Sequence, residues 1–220
     1  TQRRFVADAA HELRLPLTAI SLQAEGLGNV GLTAEASERL AAMRTGIGRC
    51  QALIDQLLAM ARAREHLYGE PASVVVSDVL REVLESLLPA AEAKDVDLGL
   101  AEGEGVLVTA PPMAVQIILK NLLGNAIRYT PAGGRIDVLV RRGSAGVAIT
   151  VVDSGPGIPA DEWDRVCDPF YRCKGDDTQG SGLGLAIVRT IATNLGGHLR
   201  LGHADPSTAK GLSATVFLPD

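Results

Sequence analysis

Aromatic side chains are scarce in this chain: Phe, Trp and Tyr make up 3% of its 220 residues. Any core must therefore be built from Leu, Val, Ile and Ala. Basic excess is missing too, since the formal net charge is −5, and this argues against the positive footprint of a nucleic-acid binder. No apolar run reaches the about 18 residues of a membrane helix and no signal-peptide pattern is present, so neither a membrane span nor export is expected. Only three cysteines occur, Cys50, Cys167 and Cys173, without metal-ligand spacing, and the plain reading is a reduced, cytoplasmic protein. A G-x-x-x-x-G-K-[ST] segment is absent, which excludes a P-loop. An initiator Met is also absent, and with Thr1 only ten residues ahead of the notable His11 the chain is expected to be a fragment of something longer.

What is present falls into two regions of different periodicity. Val6, Ala10, Leu13, Leu17, Ile20, Ala24 and Leu27 follow a 4-3-4-3 spacing. Leu40, Met43, Ile47, Cys50, Ile54, Leu57 and Ala61 follow the complementary spacing. Gly28–Thr33 separates them, with Thr33 as a candidate N-cap. Heptads on two helices joined by a short loop predict a helical hairpin. One hairpin has too little core alone, so two should pair into a four-helix bundle, making the protein a homodimer. Cys50 is expected as a small core residue of that seam.

Residues 1–65 thus form one predicted domain, 66–72 a linker and 73–220 a second domain. In the second, Ser73–Val76, Val96–Leu100, Val106–Thr109, Arg135–Arg142, Val147–Asp153, His198–Leu201 and Leu212–Leu218 read as strands. Ser77–Lys94, Pro112–Tyr129 and Leu183–Leu195 read as helices. Strands and helices that do not alternate regularly predict an α+β two-layer sandwich rather than a doubly wound sheet.

His11 sits one position past the seam residue Ala10, flanking the predicted core. A neutral imidazole is a competent nucleophile near neutral pH. Glu12 beside it is placed to orient the ring or take its proton. Pro16 removes a helix hydrogen bond and should bend the chain just after the histidine. On these residues alone, a solvated helix histidine beside a tolerated kink explains the segment equally well.

Three later segments carry the signs of a nucleotide site. Asn121, Asn125 and Arg128 fall at i, i+4 and i+7 on one helix face. Amide oxygens are hard ligands suited to Mg²⁺, and arginine suits phosphate. Asp153-Ser154-Gly155-Pro156-Gly157-Ile158-Pro159 closes a strand: the carboxylate matches the exocyclic amine of adenine, and Gly155 and Gly157 let backbone approach a ligand. Gly155–Ala160 also fits the G-x-G-x-x-A dinucleotide fingerprint, but no βαβ setting surrounds it. Gly180-Ser181-Gly182-Leu183-Gly184 precedes an apolar helix, where free backbone N–H groups bind phosphate well. Ala160–Gln179, with Asp168-Pro169-Phe170-Tyr171-Arg172, is long enough to act as a mobile lid.

Taken in order, His11–Thr18, Asn121–Pro131, Asp153–Gly157, Asp168–Arg172 and Gly180–Gly184 resemble the H, N, first glycine, F and second glycine boxes of transmembrane sensor histidine kinases of two-component systems. The resemblance spans essentially the whole chain. It implies a dimerisation and histidine-phosphotransfer domain followed by an ATP-binding domain of the Bergerat (GHKL) fold. It further implies His11 as phosphoacceptor, Glu12 as general base and Asn125 as the Mg²⁺ ligand, with Asn121 nearby. Arg128 would contact phosphate, Tyr129 border the nucleotide and Asp153 read the adenine amine. Gly182 and Gly184 would shape the lid hinge, and Phe170 and Arg172 would bring the γ-phosphate to the histidine. The implied partners are a second copy and a response-regulator receiver domain, with membrane attachment only through an upstream region.

Leu15 departs from the pattern. Four residues after the phosphoacceptor such kinases usually carry Thr, Asn or Ser, so weak phosphatase activity toward the partner is expected. A chaperone or mismatch-repair ATPase of the same superfamily would lack the heptad hairpin. A non-catalytic scaffold would not be expected to keep Asn125, Asp153 and both glycine boxes.

Overall fold

The structure is a computed structural model, and it describes residues 20, 24, 33, 35–43, 46, 47, 50, 69–173 and 182–220. Its contacts divide the chain into two compact units, Thr1–Ala61 and Arg62–Asp220.

In the first unit, residues 35–43 are helical. Thr33 caps this helix: its Oγ1 accepts from the Ala36 N–H (3.3 Å) and its carbonyl from the Ser37 N–H (2.9 Å). The heptad residues divide into two sets. Ala24, Leu40 and Ile47 are buried together, whereas Ile20 and Met43 are 42% and 43% exposed. Cys50, expected in a core, is exposed. A two-helix hairpin has only one inner side, so half of a heptad seam stays uncovered within a single chain. His11, Glu12, Leu15, Pro16 and residues 28–32 of the loop lie outside the described residues.

The second unit begins with strand β1 (Ala72–Val75). Val76, expected in that strand, instead opens helix α1 (Val76–Glu92) and is fully buried there. Strands β2 (Asp97–Glu102) and β3 (Leu107–Ala110) follow. Helix α2 spans Pro112–Tyr129, its first-turn proline supplying a helical φ where no N–H partner is needed. Strands β4 (Arg135–Gly143) and β5 (Gly146–Asp153) form a hairpin. Helix α3 (Gly184–Asn194), β6 (His198–Asp205) and β7 (Lys210–Pro219) complete the unit. The last two strands run longer than their apolar residues suggested, because pairing with each other carries them to Asp205 and Lys210.

One sheet has the order β2-β4-β5-β7-β6, with only the β2–β4 pair parallel, and β1 and β3 form a separate antiparallel pair. Alternation decides the layers. Ile136, Val138 and Val140, then Val147, Ile149 and Val151, then Ala214, Val216 and Leu218 are buried on one face. Contacts with that sheet and with one another gather the three helices into a second layer. Helix α2 is the central one, and its Ile118, Leu119, Leu122 and Leu123 each contribute about 2 kcal/mol by burial. The outer face is half-buried and more polar, with the Thr150 and Thr215 hydroxyls paired at 2.9 Å.

The C-terminal end of α2 is fixed by a residue from another element. The Lys94 ammonium donates to the carbonyls of Ile127 (2.9 Å) and Arg128 (2.6 Å). It satisfies last-turn acceptors and places positive charge at the negative end of the helix. Lys94→Met is expected to cost about 2 kcal/mol, most of it recovered by Lys94→Arg, as read by urea unfolding of the two variants.

Candidate functional site

The site assembles where the ends of β5 and α2 meet the start of α3. Strand alternation carries Asp153 there. Val147, Ile149 and Val151 point inward, so Asp153 does as well, and it is 6% exposed. A carboxylate so placed needs donors. Its Oδ1 accepts the backbone N–H of Gly155 (2.8 Å) and of Leu212 (3.2 Å). Burial pushes the Asp153 carboxyl above its ordinary value, and these two backbone hydrogen bonds only partly oppose that rise.

A cavity of about 660 Å³ opens over this carboxylate, a size typical of small-molecule sites. Asn125, Arg128 and Tyr129 reach it from α2, Gly157 and Ile158 from the loop after β5, Arg172 from the segment before α3, and Gly182 and Gly184 from the start of α3. Asn121 does not line it, as its amide donates to the Ile117 carbonyl (2.8 Å). Gly155 lies behind Asp153, donating to it. Leu183 is fully buried in the core. Phe170 is 59% exposed and away from the lining. Gly180 and Ser181 lie outside the described residues.

Two glycines sit where a side chain would collide with a neighbour. A Cβ on Gly184 would stand 2.9 Å from the Asn125 amide nitrogen, so a larger residue there would displace the Asn125 side chain. Gly182 has φ +70°, and a Cβ there would meet the Tyr171 carbonyl oxygen at 2.7 Å. Its own carbonyl accepts the Phe170 N–H at 3.0 Å.

The lid expected over Ala160–Gln179 needs correction in its first half. Ala160–Glu162 and Arg165–Cys167 are short 3₁₀ turns, with Val166 and Cys167 buried. Arg189 of α3 binds Asp168 (3.1 Å) and the Asp164 carbonyl (3.4 Å). Two apolar side chains and one arginine therefore hold this stretch down. The dinucleotide fingerprint is excluded by the setting, because β5 is antiparallel to both its neighbours and leads into a 3₁₀ turn.

Several lining residues escaped the sequence reading. Val151 and Ala214 were findable from strand alternation, and Tyr171 from its place in the quoted Asp168–Arg172 segment. Leu212 contributes through a backbone N–H, for which the sequence carries no mark.

The residues present fit a purine nucleotide: a buried acceptor, a polar helix face and a glycine-rich helix start share one cavity. Among the described residues no group of three or more His, Cys, Asp or Glu would hold a metal alone. A divalent ion would have to share Asn125 with phosphate oxygens and water, which is how Mg²⁺ is usually bound.

Residues 110–220 match the family described as "Histidine kinase-, DNA gyrase B-, and HSP90-like ATPase", and residues 1–66 match the "His Kinase A (phospho-acceptor) domain". The chain belongs to the sensor histidine kinases, with a phosphoacceptor-type helical domain ahead of an ATP-binding domain of that ATPase family. It is 35% identical over 223 residues to the swarming motility regulation sensor protein RssA of Serratia marcescens, covering 100% of this chain and 47% of that protein. It is 35% identical over 206 residues to the sensor protein QseC of Salmonella typhi, covering 92% of this chain and 45% of that one. The chain spans about half the length of the curated relatives it matches. Among solved structures, full-length ShkA in complex with AMPPNP superposes with a TM-score of 0.76 at 27% identity, covering 99% of this chain and 46% of that one. No helix among the described residues is long and apolar enough to cross a membrane.

The raised Asp153 carboxyl has a measurable consequence. Its folded-state value lies above the ordinary 3.8, so the folded chain holds this proton more tightly than the unfolded chain. Its contribution to stability is greatest below that ordinary value and declines as pH rises through the folded one. Relative to Asp153→Asn, the natural chain should therefore lose stability across that interval and lose no more above it. Paired urea titrations at a series of pH values check this.

Proposed function

We propose that this chain is the kinase core of a two-component sensor: it binds ATP with Mg²⁺, phosphorylates His11 and passes the phosphoryl group to an aspartate of a response-regulator receiver domain. The observation that carries this reading is the cavity that joins Asp153, Asn125, Arg128 and Gly184. Asp153 keeps its Oδ1 on two backbone N–H groups, leaving the other oxygen to accept from the adenine amine. Asn125 is the metal ligand, with Asn121 nearby on the same helix. When bound, Mg²⁺ neutralises charge on the phosphates. Arg128 and Arg172 bind phosphate, Tyr129, Gly157 and Ile158 border the nucleotide, and Gly180 to Gly184 cradle its phosphates with backbone N–H groups. Gly155 holds the Asp153 carboxylate, and Phe170 keeps an exposed ring.

In the reaction a ring nitrogen of His11 attacks the γ-phosphorus. The bond from that phosphorus to the β,γ-bridging oxygen breaks, ADP leaves and Glu12 takes the imidazole proton. Residues 1–65 form the dimerisation and phosphotransfer domain, 66–72 the linker and 73–220 the catalytic domain. The exposed Ile20 and Met43 support a homodimer, since a second hairpin would cover them. In this reading the chain is the cytoplasmic portion of a bacterial inner-membrane sensor.

Incubation with γ-labelled ATP and Mg²⁺ should give an acid-labile, base-stable label. His11→Gln should abolish the label while leaving ATP affinity within about twofold, because the residue lies on the other domain. Label that persists in the variant would remove His11 as acceptor.

Leu15 stands four residues after His11 and has no group to orient water. Dephosphorylation of the phosphorylated partner should be slow with the natural chain and faster by about tenfold or more with Leu15→Thr. Fast dephosphorylation by the natural chain would contradict this account of Leu15.

A further inference from the structure

The loop after β5 is held in place from outside the cavity by residues that the nucleotide reading does not use. On its inner side the Gly155 N–H binds Asp153 (2.8 Å), and the Gly155 carbonyl accepts the N–H of Gly211 at the start of β7 (2.9 Å). Its far end depends on Trp163, whose indole N–H donates to the Ile158 carbonyl at 2.9 Å. The indole packs on the His203 ring, with centroids 5.2 Å apart and planes tilted by 58°. His203 lies on β6 opposite Leu212 of β7, and the Leu212 N–H returns to Asp153. The contacts close a ring: Asp153 to Leu212, across the strand pair to His203, through the tilted ring pair to Trp163, and back by Ile158. Ile158, Leu212 and Asp153 line the cavity, whereas Trp163 and His203 do not.

We propose that Trp163, backed by His203, is a positioning residue for base recognition, fixing the Ile158 wall at the distance from Asp153 that admits adenine and aligns its amine with the carboxylate. The inference rests on the nucleotide reading of the cavity given above. Trp163 lies outside the cavity lining, so in this scheme it acts on the base end of the ligand through the Ile158 wall and leaves phosphoryl transfer unchanged. It is the only tryptophan of the chain, so its emission also reports on the wall it holds.

The test replaces Trp163 with Phe, which keeps a ring against His203 and deletes the N–H. Loss of one such bond should weaken ATP binding and raise its KM by about tenfold, with kcat within about twofold of the natural chain. ATP is compared with purine riboside triphosphate, which lacks the exocyclic amine. The natural chain should prefer ATP by about tenfold or more, and in Trp163→Phe this preference should shrink toward parity. Incorporating 7-azatryptophan, which keeps the N–H, should restore both affinity and preference. A merely structural tryptophan would move stability without moving the preference between two bases. If Trp163→Phe does not fold, the emission of the unaltered chain decides: it should shift at saturating ATP, and an unchanged spectrum overturns the proposal. A natural chain that binds ATP while Trp163→Phe binds it equally, with the same preference, overturns this inference alone. A natural chain that binds no ATP overturns the nucleotide reading together with it.

Discussion

A carboxylate can be buried at the end of a strand only if donors meet it there, and the geometry of the second domain turns on backbone N–H groups meeting that condition at Asp153. Strand alternation sends the side chain inward. Without donors it would cost several kcal/mol to keep charged there. The Gly155 N–H fixes the loop that leaves β5, and the Leu212 N–H fixes the start of β7. One oxygen atom thereby sets the spacing between the last two elements that wall the cavity. The remaining walls are arranged around it by helix packing: α2 brings Asn125 and Arg128 across the sheet, and Gly184 lets α3 begin against that same face.

The parts of this arrangement that repeat were readable from the chain. Helix α2 runs over Pro112–Tyr129 as its apolar period and first-turn proline predict, and the β4–β5 hairpin turns between Gly143 and Gly146. Asn125, Arg128, Asp153 and Gly184 meet at one cavity although they come from separated segments. Order and residue type carried enough information for that. The boundaries that slipped lie where pairing rather than composition decides, as at Val76, which a β-branched side chain assigned to a strand and burial assigned to a helix.

What the chain did not disclose is backbone chemistry and contact at a distance. The Leu212 N–H meets Asp153 across 59 residues of sequence, and any residue other than proline would supply it. Lys94 reads as one more surface cation until its ammonium is found on two carbonyls of α2. The stretch from Ala160 looked like loop because its fixing points are few: Trp163, Val166, Cys167 and the Arg189 guanidinium. Exposure of Cys50 was equally hidden, since a heptad states which residues share a seam and leaves open which copy covers them.

The Phe170 N–H donates to the Gly182 carbonyl at 3.0 Å, so two residues twelve apart in sequence are tied to each other. A segment anchored in this way behaves as a closed loop. Its length is then nearly independent of the frame below, since doubling a flexible loop costs only about 0.6 kcal/mol of closure entropy. Residues can be inserted or lost between those anchors while Asp153, Asn125 and Gly184 keep their places. The number of residues between these anchors can thus differ from one sensor to another without disturbing the site itself.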